Sequence, residues 1–286
     1  MDRDVLTAIR ELSPTFSKGQ RRIAAFITEN YDKAAFMTAG KLGQAANVSE
    51  STVVRFAADL GYEGYPEMRK ALQELIKNRL TTVQRIEVAR DMITGGDVLE
   101  HVLNSDVSKI RHTLEEMDRD AFNRAVDAIT GAKTIYVVGL RSSSALASFM
   151  GFYLNLLFPD VRVINQSAVS EVYEQVLHIS EDDALIAISF PRYSRKTILA
   201  MRYAKDHGAT VIGITDSASS LVAHLADIKL YARSEMMSFL DSLVAPLSLI
   251  NALVVAVANR SSKDLESNFE SLEKIWAEYD VYEKYE

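Results

Sequence analysis

The chain has 286 residues, 48% of them hydrophobic and 25% charged, with a formal net charge of −7. That length and apolar content support two domains with real cores and exclude a mainly disordered polypeptide. It contains no cysteine, which excludes disulfides and thiolate metal sites and is compatible with a reducing cytoplasm.

At the N-terminus Asp2, Arg3 and Asp4 alternate with apolar residues and no long apolar run follows, so no signal peptide is expected. The longest apolar stretches, near 149–158 and 252–258, are too short to span a bilayer. A soluble, cytoplasmic protein with no membrane partner is the expectation. The charge is uneven: residues 1–80 hold 12 Lys+Arg against 10 Asp+Glu, and the remainder 20 against 29. A slightly basic head on an acidic body fits a nucleic-acid reader joined to a regulatory domain.

Residues 1–78 read as all-helical, with periodic apolar positions at Ile23, Ala24, Phe26 and Ile27. Within them, KLGQAANVSESTVVRFAADLG at 41–61 has the layout of a helix-turn-helix. Leu42, Ala46, Val48, Val53 and Phe56 form its buried seam, and Gly43 makes room for the helix crossing. Asn47 falls where the turn calls for a left-handed backbone, which Asn tolerates better than most residues. Ser49 is a good N-cap for the second helix. Such a helix enters the major groove by its N-terminal residues, so the DNA-contacting candidates are Lys41, Ser49, Glu50, Ser51, Thr52 and Arg55. Each has a plainer reading: Ser49 as a cap, Glu50 and Ser51 as solvated first-turn residues, Arg55 as the i,i+4 partner of Asp59.

A further helix follows an aromatic corner at Tyr62 and Tyr65, with Pro66 in its first turn. Residues 79–105, interrupted by Gly95-Gly96, read as a helical connector. An amphipathic region over 106–128 then places Ile110, Leu114, Phe122 and Val126 on an apolar face, continued by Ile129.

From Thr134 the pattern changes to strands alternating with helices. Strands are expected at 134–140, 161–165, 184–190, 210–215 and 228–231. Helices are expected at 145–157, 169–178, 195–207, 219–225 and 241–259. This alternation predicts a doubly wound, five-stranded parallel sheet whose ligands bind beyond the carboxyl ends of its strands. The fold class is therefore an all-α helix-turn-helix domain (1–78), a connector (79–105), an α/β ligand-binding domain (106–260) and a helical tail (261–286).

Three loops follow strands at LRSSS (140–144), SFPRYSRKT (189–197) and TDSASS (215–220). The first runs straight into a helix N-terminus, where backbone N–H groups and the helix dipole receive anions. Arginines add bidentate, charge-assisted hydrogen bonds to phosphate or carboxylate. The ligand-binding candidates are Arg141, Ser142, Ser143, Ser189, Arg192, Ser194, Arg195 and Thr197, whereas Ser217 and Ser219 read as caps and turn formers.

A helix-turn-helix written VSESTVVRFAADLGYEGYPEMRKAL, a helical connector and a five-stranded domain with serine-rich loops together resemble the RpiR family of bacterial transcriptional regulators. The C-terminal part resembles a sugar isomerase (SIS) domain, and the resemblance covers about residues 1–260. Its most specific portion is RFAADLGYEGYPEMR. The resemblance implies a homodimer or homotetramer that binds operator double-stranded DNA and responds to a phosphorylated sugar, without a cofactor. Two departures stand out. The family's first ligand loop is commonly Gly-x-Gly-x-Ser, and here Arg141 occupies the second glycine's place. The second is commonly Ser-x-Ser-Gly-x-Thr, and here the loop from Ser189 to Thr197 is longer, carries Pro191 and lacks the glycine. Arginine side chains in place of close backbone approach point to a ligand more acidic or larger than a simple hexose phosphate, a phosphosugar or a sugar acid.

The alternative is a sugar-phosphate isomerase carrying an accessory helical domain. Aldose–ketose isomerisation needs a base beside the reacting carbons. The candidates Glu171, His178 and Glu235 sit in no recognisable catalytic setting, and the five histidines form no ligand-spaced pair. The expectation is a sensor, with no catalytic and no metal-ligating residues.

Overall fold

The computed structural model describes residues 5–76, 81–86, 97–165, 169–236 and 240–282. Contacts divide the chain into two compact units, Met1–Val98 with Met236–Leu240, and Leu99–Glu235 with Asp241–Glu286.

The first unit is helical: α1 (Val5–Leu12), α2 (Lys18–Glu29), α3 (Tyr31–Ala34), α4 (Ala39–Ala45), α5 (Glu50–Asp59) and α6 (Tyr65–Ile76). A capping box between Ser17 and Gln20 starts α2, satisfying two of the N–H groups that every helix start leaves open. Ile23, Ile27, Leu42, Val53, Phe56, Met68, Leu72 and Ile76 close into one core, each large side chain contributing about 1.5–3 kcal/mol by leaving water. Tyr65 is buried with its hydroxyl donating to the Met37 carbonyl at 2.9 Å, and burial pushes its pKa up to about 12.

The turn between α4 and α5 has the backbone its sequence calls for. Asn47 sits at φ 53°, and Val48 N–H donates to the Gly43 carbonyl at 2.8 Å. A Cβ on Gly43 would lie 2.9 Å from the Val48 carbonyl oxygen. Asn47→Val is therefore expected to cost about 1–2 kcal/mol, the penalty of a β-branched residue in the left-handed region, while Asn47→Gly stays near neutral; urea denaturation of both variants checks this.

The second unit opens with α7 (Val98–Glu115) and α8 (Arg119–Gly131). The expected single helical region at 106–128 is thus two helices. Asp118 separates them, its carboxylate accepting from the N–H groups of Asp120 and Ala121 at 2.9 and 3.0 Å, an N-cap placed inside a helix-prone run. Residue 105, the expected end of the connector, lies within α7. Part of that connector, 79–80 and 87–96, lies outside the described residues.

Strands β1 (Ile135–Gly139), β2 (Val161–Ile164), β3 (Ala184–Ile188), β4 (Thr210–Thr215) and β5 (Ile228–Tyr231) alternate with α9 (Ser144–Leu157), α10 (Val169–Val176), α11 (Arg195–Asp206) and α12 (Leu221–Leu225), and α13 (Val244–Arg260) and α14 (Ser262–Glu278) follow. The sheet is all-parallel in the order β2-β1-β3-β4-β5. Period-2 alternation sorts its side chains into two cores. Ile135, Val137, Ile186, Ile188, Ile212 and Ile214 face α8, α9 and α13, and Tyr136, Val138, Leu185, Ala187 and Val211 face α10, α11 and α12. Burial on both faces explains the unbroken apolar runs. Among the described residues, no helix is long and apolar enough to cross a membrane.

Candidate functional site

In the helical unit the expected seam closes: Leu42, Ala46, Val53 and Phe56 are buried and Val48 packs against them. The DNA-contact candidates divide by what holds them. Ser49 caps α5, its hydroxyl accepting from Thr52 N–H at 3.3 Å and lying 2.9 and 2.7 Å from the hydroxyls of Ser51 and Thr52. Thr52 is half-buried, so its hydroxyl belongs to this cluster and does not project freely. Glu50 folds back over α4, its carboxylate 3.2 Å from where a Cβ on Gly40 would stand. Lys41 and Arg55 are exposed. Asp59, the expected partner of Arg55, instead accepts a short hydrogen bond from Gln20 of α2. Arg22, which the motif reading did not single out, donates from Nη1 to the Asn47 carbonyl at 3.2 Å and braces the turn from α2.

In the α/β unit a cavity of about 470 Å³ is lined by Leu140, Arg141, Asn165, Arg192, Tyr193, Ser194, Arg195 and Lys196. These residues follow the carboxyl ends of β1, β2 and β3. In the observed strand order the chain leaves β1 for β2 on one side and returns to β3 on the other, the topological switch point at which doubly wound sheets open a crevice.

Two loop conformations shape the cavity. Arg141 has φ 58°, a left-handed backbone that glycine adopts without strain, and it is exposed and lines the cavity. Arg141–Ser143 form a 3₁₀ turn into α9, where Ser144 Oγ donates to the Arg141 carbonyl at 2.6 Å. The turn crosses directly over Gly139, where a Cβ would stand 2.6 Å from the Ser143 carbonyl oxygen and 2.9 Å from Ala147 Cβ. Gly139→Ala is expected to cost about 1–3 kcal/mol through overpacking against backbone that cannot yield, read as a lower urea midpoint.

In the second loop Ser194 caps α11 by accepting from Thr197 N–H at 3.4 Å, and Ser194 N–H donates to Ser189 Oγ at 3.2 Å. Tyr193 hydroxyl donates to Asp216 at 2.7 Å, tying this loop to the end of β4.

Of the eight ligand-binding candidates, the cavity gathers Arg141, Arg192, Ser194 and Arg195. Ser142, Ser143, Ser189 and Thr197 do not line it. Ser143 and Ser189 are buried, Ser189 as the acceptor that closes its loop. Thr197 is fully buried in the first turn of α11 with its hydroxyl unpartnered. The fold turns Ser143, Ser189 and Thr197 inward and leaves Ser142 exposed, which composition does not reveal. Asn165, Tyr193 and Lys196 line the cavity without having been singled out. In the third loop Ser220 caps α12, accepting from Ala223 N–H at 3.0 Å, while Ser217 and Ser219 pair with each other.

Near the amino ends of β1 and β2, two groups have shifted pKa values. Hydrogen bonds from Arg162 and Thr134 hold the Asp160 carboxyl below its ordinary range, and burial pushes Tyr136 up. Of the possible isomerase bases, His178 is exposed and Glu235 pairs with Arg233 at 3.4 Å, neither of them lining the cavity. The Glu171 side chain lies outside the described residues.

The family model for the helix-turn-helix domain of the rpiR family matches residues 3–79, and the model for the SIS domain matches residues 128–256. The HTH-type transcriptional regulator HexR of Escherichia coli is 27% identical over 225 residues, spanning 76% of this chain and 74% of HexR. The sugar isomerase domain of an RpiR transcription factor from Sphaerobacter thermophilus superposes with a TM-score of 0.60 at 27% identity, covering 63% of this chain and 99% of that one. The Vibrio vulnificus NanR protein complexed with ManNAc-6P superposes with a TM-score of 0.59 at 23% identity, covering 96% of this chain and 98% of that one.

Proposed function

The chain belongs to the rpiR family of transcriptional regulators, a helix-turn-helix domain followed by a SIS domain, and from that premise we propose which residues read its operator and which hold its effector. The N-terminal end of α5 enters the major groove, with Arg55 reading base edges and Lys41 and the Ser49–Ser51 hydroxyls against phosphates. Thr52 and Glu50 set the pose of that end.

The effector is a small anionic metabolite, a phosphosugar or sugar acid, held at the switch point of the SIS sheet. One observation carries this reading: four cationic side chains, Arg141, Arg192, Arg195 and Lys196, ring a single cavity at the N-terminus of α11. Open N–H groups and the helix dipole favour an anion at such a terminus, and guanidinium groups clamp its oxygens. Ser194 and Asn165 supply polar contacts beside the charge. Ser142, Ser143, Ser189 and Thr197 shape the two loops. NanR's complex with a phosphorylated sugar supports the ligand class.

Operator reading by this motif takes two recognition helices set about one DNA turn apart or a multiple of it, so the acting form is a homodimer or homotetramer. Bound effector changes the separation of the paired helices. A thermal-shift screen of phosphosugars and sugar acids on the full chain tests the pocket. A raised melting temperature with at least one such compound is expected, and indifference to all of them overturns the effector class.

A further inference from the structure

Helix α7 is turned the wrong way round for a helix that serves only its own fold. It is an 18-residue helix, ~27 Å long. Its buried face is polar: Lys109 and Thr113 are buried. Lys109 Nζ bonds Ser105 at 2.9 Å and Asp106 at 3.4 Å. Asp106 accepts from Ser242 Oγ at 2.6 Å, and Thr113 Oγ1 accepts from Arg233 N–H at 3.0 Å. These bonds fix the rotation of the helix.

The apolar residues consequently face solvent. Leu99 is 66% exposed, Leu103 56%, Val107 55%, Ile110 37% and Leu114 58%. They recur at intervals of three or four, one continuous stripe on a helix surface. A contiguous apolar stripe of this kind marks an interaction surface rather than ordinary surface variation.

We infer that this stripe is where a second copy of the chain docks, α7 against α7, antiparallel about a two-fold axis beside Val107. The inference rests on the homo-oligomeric reading above and adds the surface that makes the oligomer. The stripe is nearly palindromic about the point between residues 106 and 107. An antiparallel partner therefore sets Leu99 opposite position 114 of the other copy and Leu103 opposite position 110, with Val107 near the axis. That is the self-complementarity an isologous interface requires. The exposed charges agree: Glu100 and Arg111 flank the same edge of the stripe, and the two-fold brings each Glu100 beside the other copy's Arg111, opposite charges meeting at the rim.

The absence of cysteine makes Val107→Cys in the full-length protein a background-free probe. A short bismaleimide is expected to join that variant into covalent dimers, whereas His112→Cys, exposed on α7 but off the stripe, stays single on a denaturing gel. Leu103→Glu is expected to halve the sedimenting mass at micromolar concentration with an unchanged circular-dichroism spectrum. Glu100→Arg and Arg111→Glu should each weaken association, and the double variant should restore it. A protein that sediments as an oligomer, yet gives no Val107→Cys cross-link and ignores Leu103→Glu, overturns the α7 interface and leaves the oligomeric reading standing. A wild-type monomer overturns both.

Discussion

Arg55→Ala is expected to weaken operator binding by about 1–3 kcal/mol, roughly 5- to 150-fold, with helix content and thermal midpoint unchanged. The arginine is exposed one turn into α5, and its natural intrahelical partner, Asp59, is held by Gln20. Removing it should therefore take away the proposed base contact without breaking a bond of the fold. Glu50 and Thr52 behave differently, because one lies over Gly40 and the other is bonded to Ser49. Their substitution should lower affinity through the geometry of the turn, together with some stability. Lys41→Ala should weaken all DNA sequences alike and reduce the steepness of the salt dependence by about one counterion. Anisotropy titrations of the four variants over a range of salt separate these roles. Unchanged affinity in Arg55→Ala would remove α5 as the reading helix.

The second large effect is on response to effector. Arg141 holds a left-handed backbone at a cost of about 1–2 kcal/mol, and strain of this kind persists where the surrounding structure and the site call for it. Arg141→Gly should relieve that strain and raise the unfolding free energy by about 1 kcal/mol, while abolishing the change in operator affinity that effector produces. Arg195→Ala should lose the same response with no gain in stability. A typical coupling of about 1–3 kcal/mol sets the scale of what is lost, and affinity for operator without effector should stay near wild type. If both variants respond like wild type, the arginine-clamped pocket is wrong.

The parallel sheet was legible because strands buried on both faces leave apolar, β-branched runs such as IYVVG and ALIAI, and the turn at Asn47 because few residues accept its backbone. Three features were not. Asp118 ends one helix and starts another by a local hydrogen bond within a run that reads as continuous. The outward face of α7 inverts the rule that apolar periodicity marks the inside, because polar bonds from Ser242 and the Arg233 backbone fix its rotation. At the strand ends the arginines and Ser194 of two loops line one cavity, while the other hydroxyl candidates do not. The inward turn of Ser189 and Thr197 depends on how the loop closes over the α11 cap, a tertiary outcome that no spacing records. Arg141 takes a left-handed backbone, a conformation glycine adopts without strain, and adds a guanidinium there.

The most direct test is a titration of full-length protein on an operator fragment recovered by in vitro selection, in the presence and absence of whichever sugar phosphate raises the melting temperature. Operator affinity is expected to fall steeply with salt and to change about 5- to 150-fold on adding the compound, with the change lost in Arg141→Gly and in Arg195→Ala. An affinity that is flat with salt, or one that the compound shifts equally in wild type and both variants, would contradict it.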